Sequence, residues 1–369
     1  MDIAIVGGGI YGLSLAWALA RNGYLATVIE KEDIPNESGA SFDQHRLLHP
    51  FFAEKSSSVM WPEVMGAWQT MCHDIGEDLF VPSEAMIIAT DRQDMALAAV
   101  RSLILRDIPF AQLDARDTQE LLPQFVVERH WWSVRSSGSV LLANRIMPKL
   151  ARCIRGMGVS LRPRTKVCGF DVERRRINLG GEFLSVDLVI CAAGPWMSAL
   201  APTILHELLP HRQISCYLEV PARWREAWVQ SPAILDAGLR DELWFVPPVA
   251  GTDLKVASGE NRARGNPDLQ TQAAAKEVKI VQEAAAKVLQ DAGEYRVLRA
   301  NTCYFGSHDG AILSGPVIGG DSWLWVLGGC SGKGYKFAPA IALATARRIS
   351  SGNVDIEMVD IVRPGQATL

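Results

Sequence analysis

The sequence predicts an α/β dinucleotide-binding unit of Rossmann type, discontinuous along the chain, with an α+β unit set between its pieces. Three observations predict it. The run Ile3-Ala4-Ile5-Val6 feeds Gly7-Gly8-Gly9-Ile10-Tyr11-Gly12 and then an apolar stretch over 13–20, which is the order strand, glycine turn, helix. Further glycine-bearing turns follow apolar runs in the middle of the chain, at Ala192-Ala193-Gly194-Pro195-Trp196, and near its end, at 328–334. At 369 residues the chain also exceeds the about 250–300 that a single hydrophobic core sustains.

In the first turn, Gly7 permits the tight reversal, Gly9 lets backbone approach a pyrophosphate, and Gly12 lets the helix sit close on its strand. The helix N-terminus offers free N–H groups and a positive dipole end to phosphates. Ala26-Thr27-Val28-Ile29 then ends in Glu30, 18 residues after Gly12. A carboxylate there accepts both hydroxyls of an adenosine ribose and repels a 2′-phosphate, so an ADP-containing dinucleotide is the expected ligand. A small, polar loop over 36–44 leads to His45-Arg46-Leu47-Leu48-His49-Pro50. Helices are expected over 61–75 and 93–106, a strand over 85–90, and a short helix over 117–122 that stops at Pro123. Ser139-Val140-Leu141-Leu142 leads into a helix over 144–156 with Asn144 as its cap. Sheet character marks 159–161, 166–173, 176–179 and 184–191, and 214–256 is strand-rich. Good helix formers fill 269–291, including two Ala-Ala-Ala-Lys stretches. A buried-type strand over 323–327 and a helix over 337–350 close the pattern.

Composition narrows the class. Hydrophobic residues at 48% and charged ones at 21% describe a globular chain, and a formal charge of −4 does not suggest a nucleic-acid surface. Residues 3–20 are apolar enough to resemble a membrane span or signal core, yet they hold four glycines and lack a basic leader segment. No other run approaches about 20 apolar residues. The expectation is a cytoplasmic protein without a cleaved leader or membrane contact. Seven cysteines, odd in number and without a C-x-x-C pair, fit a reducing compartment and argue against a disulfide framework or structural zinc. All except Cys303 read as small buried hydrophobes. His45 and His49 would make a metal pair only on a helix; they lack a third ligand and flank Arg46, so no metal is expected. Trp131-Trp132 and the other tryptophans read as core.

On these motifs the chain resembles the D-amino-acid oxidase superfamily of flavoproteins, within it the monomeric sarcosine oxidase branch. The resemblance rests on the opening glycine motif with Glu30, Arg46, Val189-Ile190-Cys191-Ala192-Ala193-Gly194-Pro195-Trp196 and Leu254-Lys255-Val256. It rests further on Arg299-Ala300-Asn301-Thr302-Cys303-Tyr304 and on Gly328-Gly329-Cys330-Ser331-Gly332-Lys333-Gly334-Tyr335-Lys336-Phe337. The first motif occurs in many flavin and nicotinamide proteins, whereas the last two are far more diagnostic. The resemblance implies FAD, a flavin domain over 1–80, 144–210 and 298–369, and an antiparallel-sheet substrate domain over 81–143 and 211–297. It implies oxidation of an amine C–N bond to an imine, with O2 reduced to hydrogen peroxide. The implied partners are a small-molecule amine and O2, with the chain a monomer or small oligomer.

The resemblance also assigns roles. Lys255, after Gly251-Thr252-Asp253-Leu254, occupies the place of a lysine that holds a water against flavin N5 and stabilises charge developing on oxygen. Without it, Lys255 reads as a strand lysine facing solvent. Cys303 falls where the branch carries a thioether to the flavin 8α-methyl. Lys336 matches the lysine that binds a substrate carboxylate, and Gly329, Gly332 and Gly334 before it pack against the flavin. The helix that follows would stabilise negative charge at the N1–C2=O edge. Arg46 matches an arginine beside the ring, and Gly194 and Trp196 belong to the cofactor set.

Three positions depart from the branch. His49 replaces a second arginine and cannot make the bidentate fork to a carboxylate. Gly259 replaces a histidine, and Trp244 replaces a tyrosine in the substrate strand. These changes point away from sarcosine, toward a larger amine or one lacking an α-carboxylate, with His49 and Trp244 on the substrate side. No single catalytic base is identified. Two alternatives stay open: a dehydrogenase of the same fold that passes electrons to a quinone or carrier, and a flavin-binding subunit without turnover.

Overall fold

Two sheets organise the chain. The computed structural model describes residues 1–51, 61–90, 94–202, 205–206, 208–239, 242–307, 312–317, 323–352 and 362–363. Gln93 and most of 353–369, which entered the expectations above, lie outside the described residues. Among the described residues no helix is long and apolar enough to cross a membrane.

The first sheet has seven strands, in the order Val362–Arg363, Ile312–Pro316, Leu324–Gly328, Leu188–Cys191, Ile3–Val6, Ala26–Ile29 and Ser160–Arg162. Its central members are continuous apolar runs because both faces are covered, as a parallel sheet requires. Alternate side chains serve opposite faces. Ile3, Ile5, Ile190 and Leu327 pack against the helices Ile10–Arg21, Ala143–Gly156 and Gly334–Ser351. Ala4, Val6, Val189 and Val326 pack on the other side against Met197, Leu205 and Ile177, the last from a small three-stranded sheet.

The second sheet has ten strands and is mostly antiparallel. Period 2 again sorts its residues. Cys216, Leu218, Ile234, Phe245, Leu254 and Val256 point into a core closed by Val281, Ala284 and Ala285 of the helix Ala275–Ala286. Their neighbours Ser215, Leu235, Trp244, Val246 and Lys255 point the opposite way, into the cavity described below. Arg46–Leu48 and Arg296–Ser307 also belong to this second sheet, pairing with Trp132–Leu141 and Leu209–Glu219 respectively.

Several local expectations shift. The helix expected to start at Asn144 begins at Ala143, and the cap is Leu142, without a side-chain bond. The strand Trp132–Leu141 runs straight into it, so the chain offers no polar residue at the junction. The expected strand over 184–191 is two strands, Phe183–Ser185 in the small sheet and Leu188–Cys191 in the large one. The last helix starts at Gly334, so Lys336 lies in its first turn rather than ahead of it. His45 and His49 flank the short strand Arg46–Leu48 rather than sharing a helix face. Of the cysteines read as buried hydrophobes, Cys168 is exposed and Cys153 and Cys330 are half-buried.

Candidate functional site

The carboxyl ends of Ile3–Val6, Leu188–Cys191 and Leu324–Gly328 all deliver glycine turns to one crevice, the position where open α/β sheets bind ligands. The second sheet closes the crevice from the other side. The cavity between them measures about 1080 Å³, above the usual range of about 300–1,000 Å³ for single-ligand pockets. There is room for a dinucleotide together with a small substrate.

Backbone geometry fits that ligand. Gly7 has φ +116°, and a Cβ there would meet the Ala192 carbonyl oxygen at 2.4 Å. Gly9 caps the helix Ile10–Arg21 with no side-chain bond of its own, and the Ser41 hydroxyl accepts from Ile10 N–H at 2.9 Å. Glu30 is buried at the end of Ala26–Ile29 and accepts from Gly8 N–H at 2.7 Å, Asn36 Nδ2 at 3.2 Å and Glu32 N–H at 3.1 Å. Oε1 takes two of these donors and Oε2 one, so Oε2 keeps an acceptor site for a ligand. The hydroxyls of Tyr11 and Tyr335, both on the cavity wall, are buried without a hydrogen-bond partner among the described residues. Buried polar atoms in that state call for a ligand or water.

The residues singled out by sequence converge here. Gly7, Gly9, Glu30, Arg46, His49, Gly194, Trp196, Trp244, Lys255, Cys303, Gly329, Gly332, Gly334 and Lys336 all line the one cavity. Gly12 does not; it lies where the helix crosses Gly7. Trp196 sits toward the Glu30 end, where Asp268 accepts from its Nε1 at 2.9 Å and Lys31 lies 3.9 Å above its ring.

Lys255 is buried, because it occupies the cavity face of a strand whose alternate residues fill the core. Its ammonium pairs with Asp43. Asp43 also receives Arg46 Nη1, the Tyr217 hydroxyl and, at 3.3 Å, Asn301 Nδ2. Burial alone would raise the Asp43 carboxyl, but Lys255 and Arg46 hold it well below the carboxylate range. Burial pushes Lys255 down, and Asp43 opposes that. Arg46 is fixed further by the carbonyls of Ala40 at 2.6 Å and His45 at 3.0 Å. His45 Nε2 donates to the Asp253 carbonyl at 3.2 Å, and burial, then Lys255, lowers its pKa to about 3, so it is neutral.

Lys336 Nζ lies 2.7 Å from His49 Nε2. Burial, then Lys333, lowers Lys336 to about 7, while burial and Lys336 keep His49 neutral. Burial raises the Cys303 thiol, with Arg46 and Lys255 opposing. Asp43 and Tyr217 are the site residues that sequence reading missed. Asp43 stands in a loop of small polar residues, and the one local signal is its closeness to Arg46.

Residues 2–348 match the family described as FAD dependent oxidoreductase. Among curated relatives, a peroxisomal sarcosine oxidase of Mus musculus is 24% identical over 234 residues, 61% of this chain and 57% of that protein. The match therefore spans little more than half of the relative's length. Two solved structures share the fold. L-proline dehydrogenase from P. horikoshii superposes with TM-score 0.79 at 17% identity over 98% of this chain and 96% of that one. The fructosamine oxidase Amadoriase II from Aspergillus fumigatus does so with TM-score 0.81 at 16% identity, over 100% and 90%. With three glycine turns meeting a second sheet across one cavity, the match over nearly the whole chain settles the family: the protein belongs to the FAD-dependent oxidoreductases.

Proposed function

We propose that this chain is an oxidase of a primary or secondary amine or amino acid other than sarcosine, converting a C–N single bond to an imine and reducing O2 to hydrogen peroxide. The carrying observation is Lys255, a buried lysine paired with Asp43 on the wall of the cavity that the glycine turns also line. Sarcosine, proline and fructosamine, named for the proteins above, are all C–N donors, which agrees with this class.

FAD, when bound, supplies the two-electron acceptor and the route of those electrons to oxygen. The chain supplies the rest. Gly9 and the first turn of Ile10–Arg21 would offer backbone N–H groups to its pyrophosphate, Gly7 makes the reversal with its own N–H on the Ile29 carbonyl, and Glu30 would take its ribose at Oε2. Gly194, Gly329, Gly332 and Gly334 let backbone approach it. Lys255 holds positive charge where negative charge develops on dioxygen, and burial makes that charge count for more than it would in water. Arg46 adds a second fixed cation beside it. Lys336 and His49 form the substrate end with Trp244, Leu47, Leu235 and Val246, an apolar wall with one titrating anchor. That wall suits a substrate larger than sarcosine.

We place the nucleotide domain at 1–80, 144–210 and 298–369 and the substrate domain at 81–143 and 211–297. Sheet membership supports this division except at Arg46–Leu48 and Arg296–Ser307, which bond to the second sheet and carry Arg46 and Cys303 to the cavity from that side.

Anaerobic mixing with a panel of primary, secondary and cyclic amines tests the class: one or more bleaches the flavin, and admitting air restores colour with peroxide release. Bleaching without rapid recovery indicates a dehydrogenase, and no bleaching indicates a flavin-binding subunit.

Two further outcomes follow from the wall residues. Cys303 is assigned as the covalent attachment point, so acid-precipitated protein keeps its yellow colour and Cys303→Ser gives a colourless pellet; a colourless native pellet removes the linkage. Lys336 is cationic below about 7 and neutral above. Affinity for an unreactive carboxylate, read from the flavin difference spectrum, is therefore tightest below pH 7 and weakens as pH rises through it. Lys336→Ala weakens it about 10–100-fold at low pH and flattens the profile. A native profile already flat places the anchor elsewhere.

A further inference from the structure

We propose that Asp43 is a positioning residue for oxygen reduction: its buried carboxylate ties Lys255 and Arg46 to one point of the cavity wall and keeps Lys255 a cation there. This rests on the reading of Lys255 given above. Asp43 gathers side chains from four separate strands, Lys255 from Leu254–Ala257, Arg46 from Arg46–Leu48, Tyr217 from Leu209–Glu219 and Asn301 from Arg296–Ser307. The Gln44 N–H also donates to it, at 2.8 Å, so five donors fill the roughly four acceptor sites of the carboxylate. The loop that presents Asp43 is clamped to the Lys255 strand by a two-way bond, Gln44 Nε2 to Asp253 Oδ2 and Asp253 N–H to Gln44 Oε1, each 2.7 Å.

The charge count explains why the carboxylate is needed. Around the Lys255 ammonium lie Asp43, Arg46, the neutral His45, the protonated Tyr217 phenol, the Cys303 thiol and the Trp244 ring, 5.4 Å away. Burial and Arg46 both favour the neutral amine, and Asp43 is the group that favours the ammonium most. With it Asp43, Lys255 and Arg46 together carry one net positive charge, and Arg299, 4.1 Å from the Tyr217 ring centroid, is a further cation against that phenol. Without it, two like charges would share a dry wall, and lysine, unlike arginine, relieves that by losing its proton. A buried ion pair alone is weak evidence of stability, so the useful contrast is between a packing role and a charge-holding one.

The test follows the Lys255 Nζ resonance in 15N-lysine-labelled holoenzyme, assigned with Lys255→Met, beside stopped-flow reoxidation by O2 across pH. In the native enzyme the Nζ resonance is that of an ammonium. Asp43→Asn lowers its titration midpoint by about 1–3 pH units, and the reoxidation rate falls across the same shifted window while recovering at lower pH. Asp43→Glu retains the charge and keeps the midpoint within about 1 unit of native. A neutral Lys255 in the native enzyme overturns the proposal. So does an Asn variant with native midpoint and pH profile, or a Glu variant whose midpoint falls by more than that unit. If the Asn variant does not fold, the native and Glu titrations decide. Native-rate reoxidation in Lys255→Met would instead defeat the oxygen-site reading, while the Nζ titration still reports on Asp43.

Discussion

Replacing Lys255 by Met slows reoxidation of the reduced enzyme by O2 about 10²–10³-fold, the cost typical of removing one preorganised charge partner from a transition state. Reduction by substrate changes by less than about tenfold, because that step needs alignment over the cofactor rather than charge at the oxygen site. Methionine fills nearly the same volume on the cavity face of Leu254–Ala257, so the core behind it, built from Leu254 and Val256, is undisturbed. Asp43 keeps Arg46, Tyr217 and Asn301 as partners and is not left as an unpaired buried charge. What changes is the summed charge of Asp43, Arg46 and position 255, from one positive to zero. Single-turnover stopped flow separates the two half-reactions, and equal slowing of both would remove Lys255 from the oxygen step. Arginine is a poor substitute here, since its planar fork would compete with Arg46 for the same carboxylate.

Legibility in the sequence followed the distance over which the information is spread. The opening βαβ unit could be read because strand, turn, helix, strand and Glu30 lie within thirty residues, each with its own local signal. The alternation that puts Lys255 on the cavity side is equally local, but it cannot say which side faces solvent. That needed the resemblance, since a strand lysine ordinarily faces water. Asp43 was out of reach for a different reason. It lies 212 residues from Lys255 in sequence, and nothing in a polar loop distinguishes an acid that will be buried by four strands from one that stays solvated. The Asn144 cap failed because capping preference is a weak prior, overridden where Trp132–Leu141 delivers the chain directly into its helix. The sequence pattern puts Lys336 ahead of its helix because the glycines read as turn, whereas the helix begins at the last of them, Gly334.

Gly12→Ala is expected to be the most damaging glycine-to-alanine change among the described residues. A Cβ at Gly12 would lie 1.9 Å from the Gly7 carbonyl oxygen and 3.3 Å from Ile5 Cγ2. Backbone on one side and a core strand on the other leave no flexible end to move, so the helix Ile10–Arg21 must lift from Ile3–Val6. Overpacking of this kind costs about 1–3 kcal/mol and occasionally more. The helix also carries the N–H groups proposed to hold the pyrophosphate, so displacement and cofactor loss go together. Apparent Tm falls by roughly 5 °C, and gel-filtered protein loses FAD from any noncovalently held fraction. Gly66→Ala is the matched control. Gly66 sits within the helix Trp61–Ile75 with no neighbour within 4 Å of an added Cβ, so alanine there stabilises by about 0.5–1 kcal/mol through helix propensity. Opposite signs at two helical glycines separate close packing from propensity. A Gly12→Ala protein with native Tm and full FAD content would mean that helix and strand are not in the contact described.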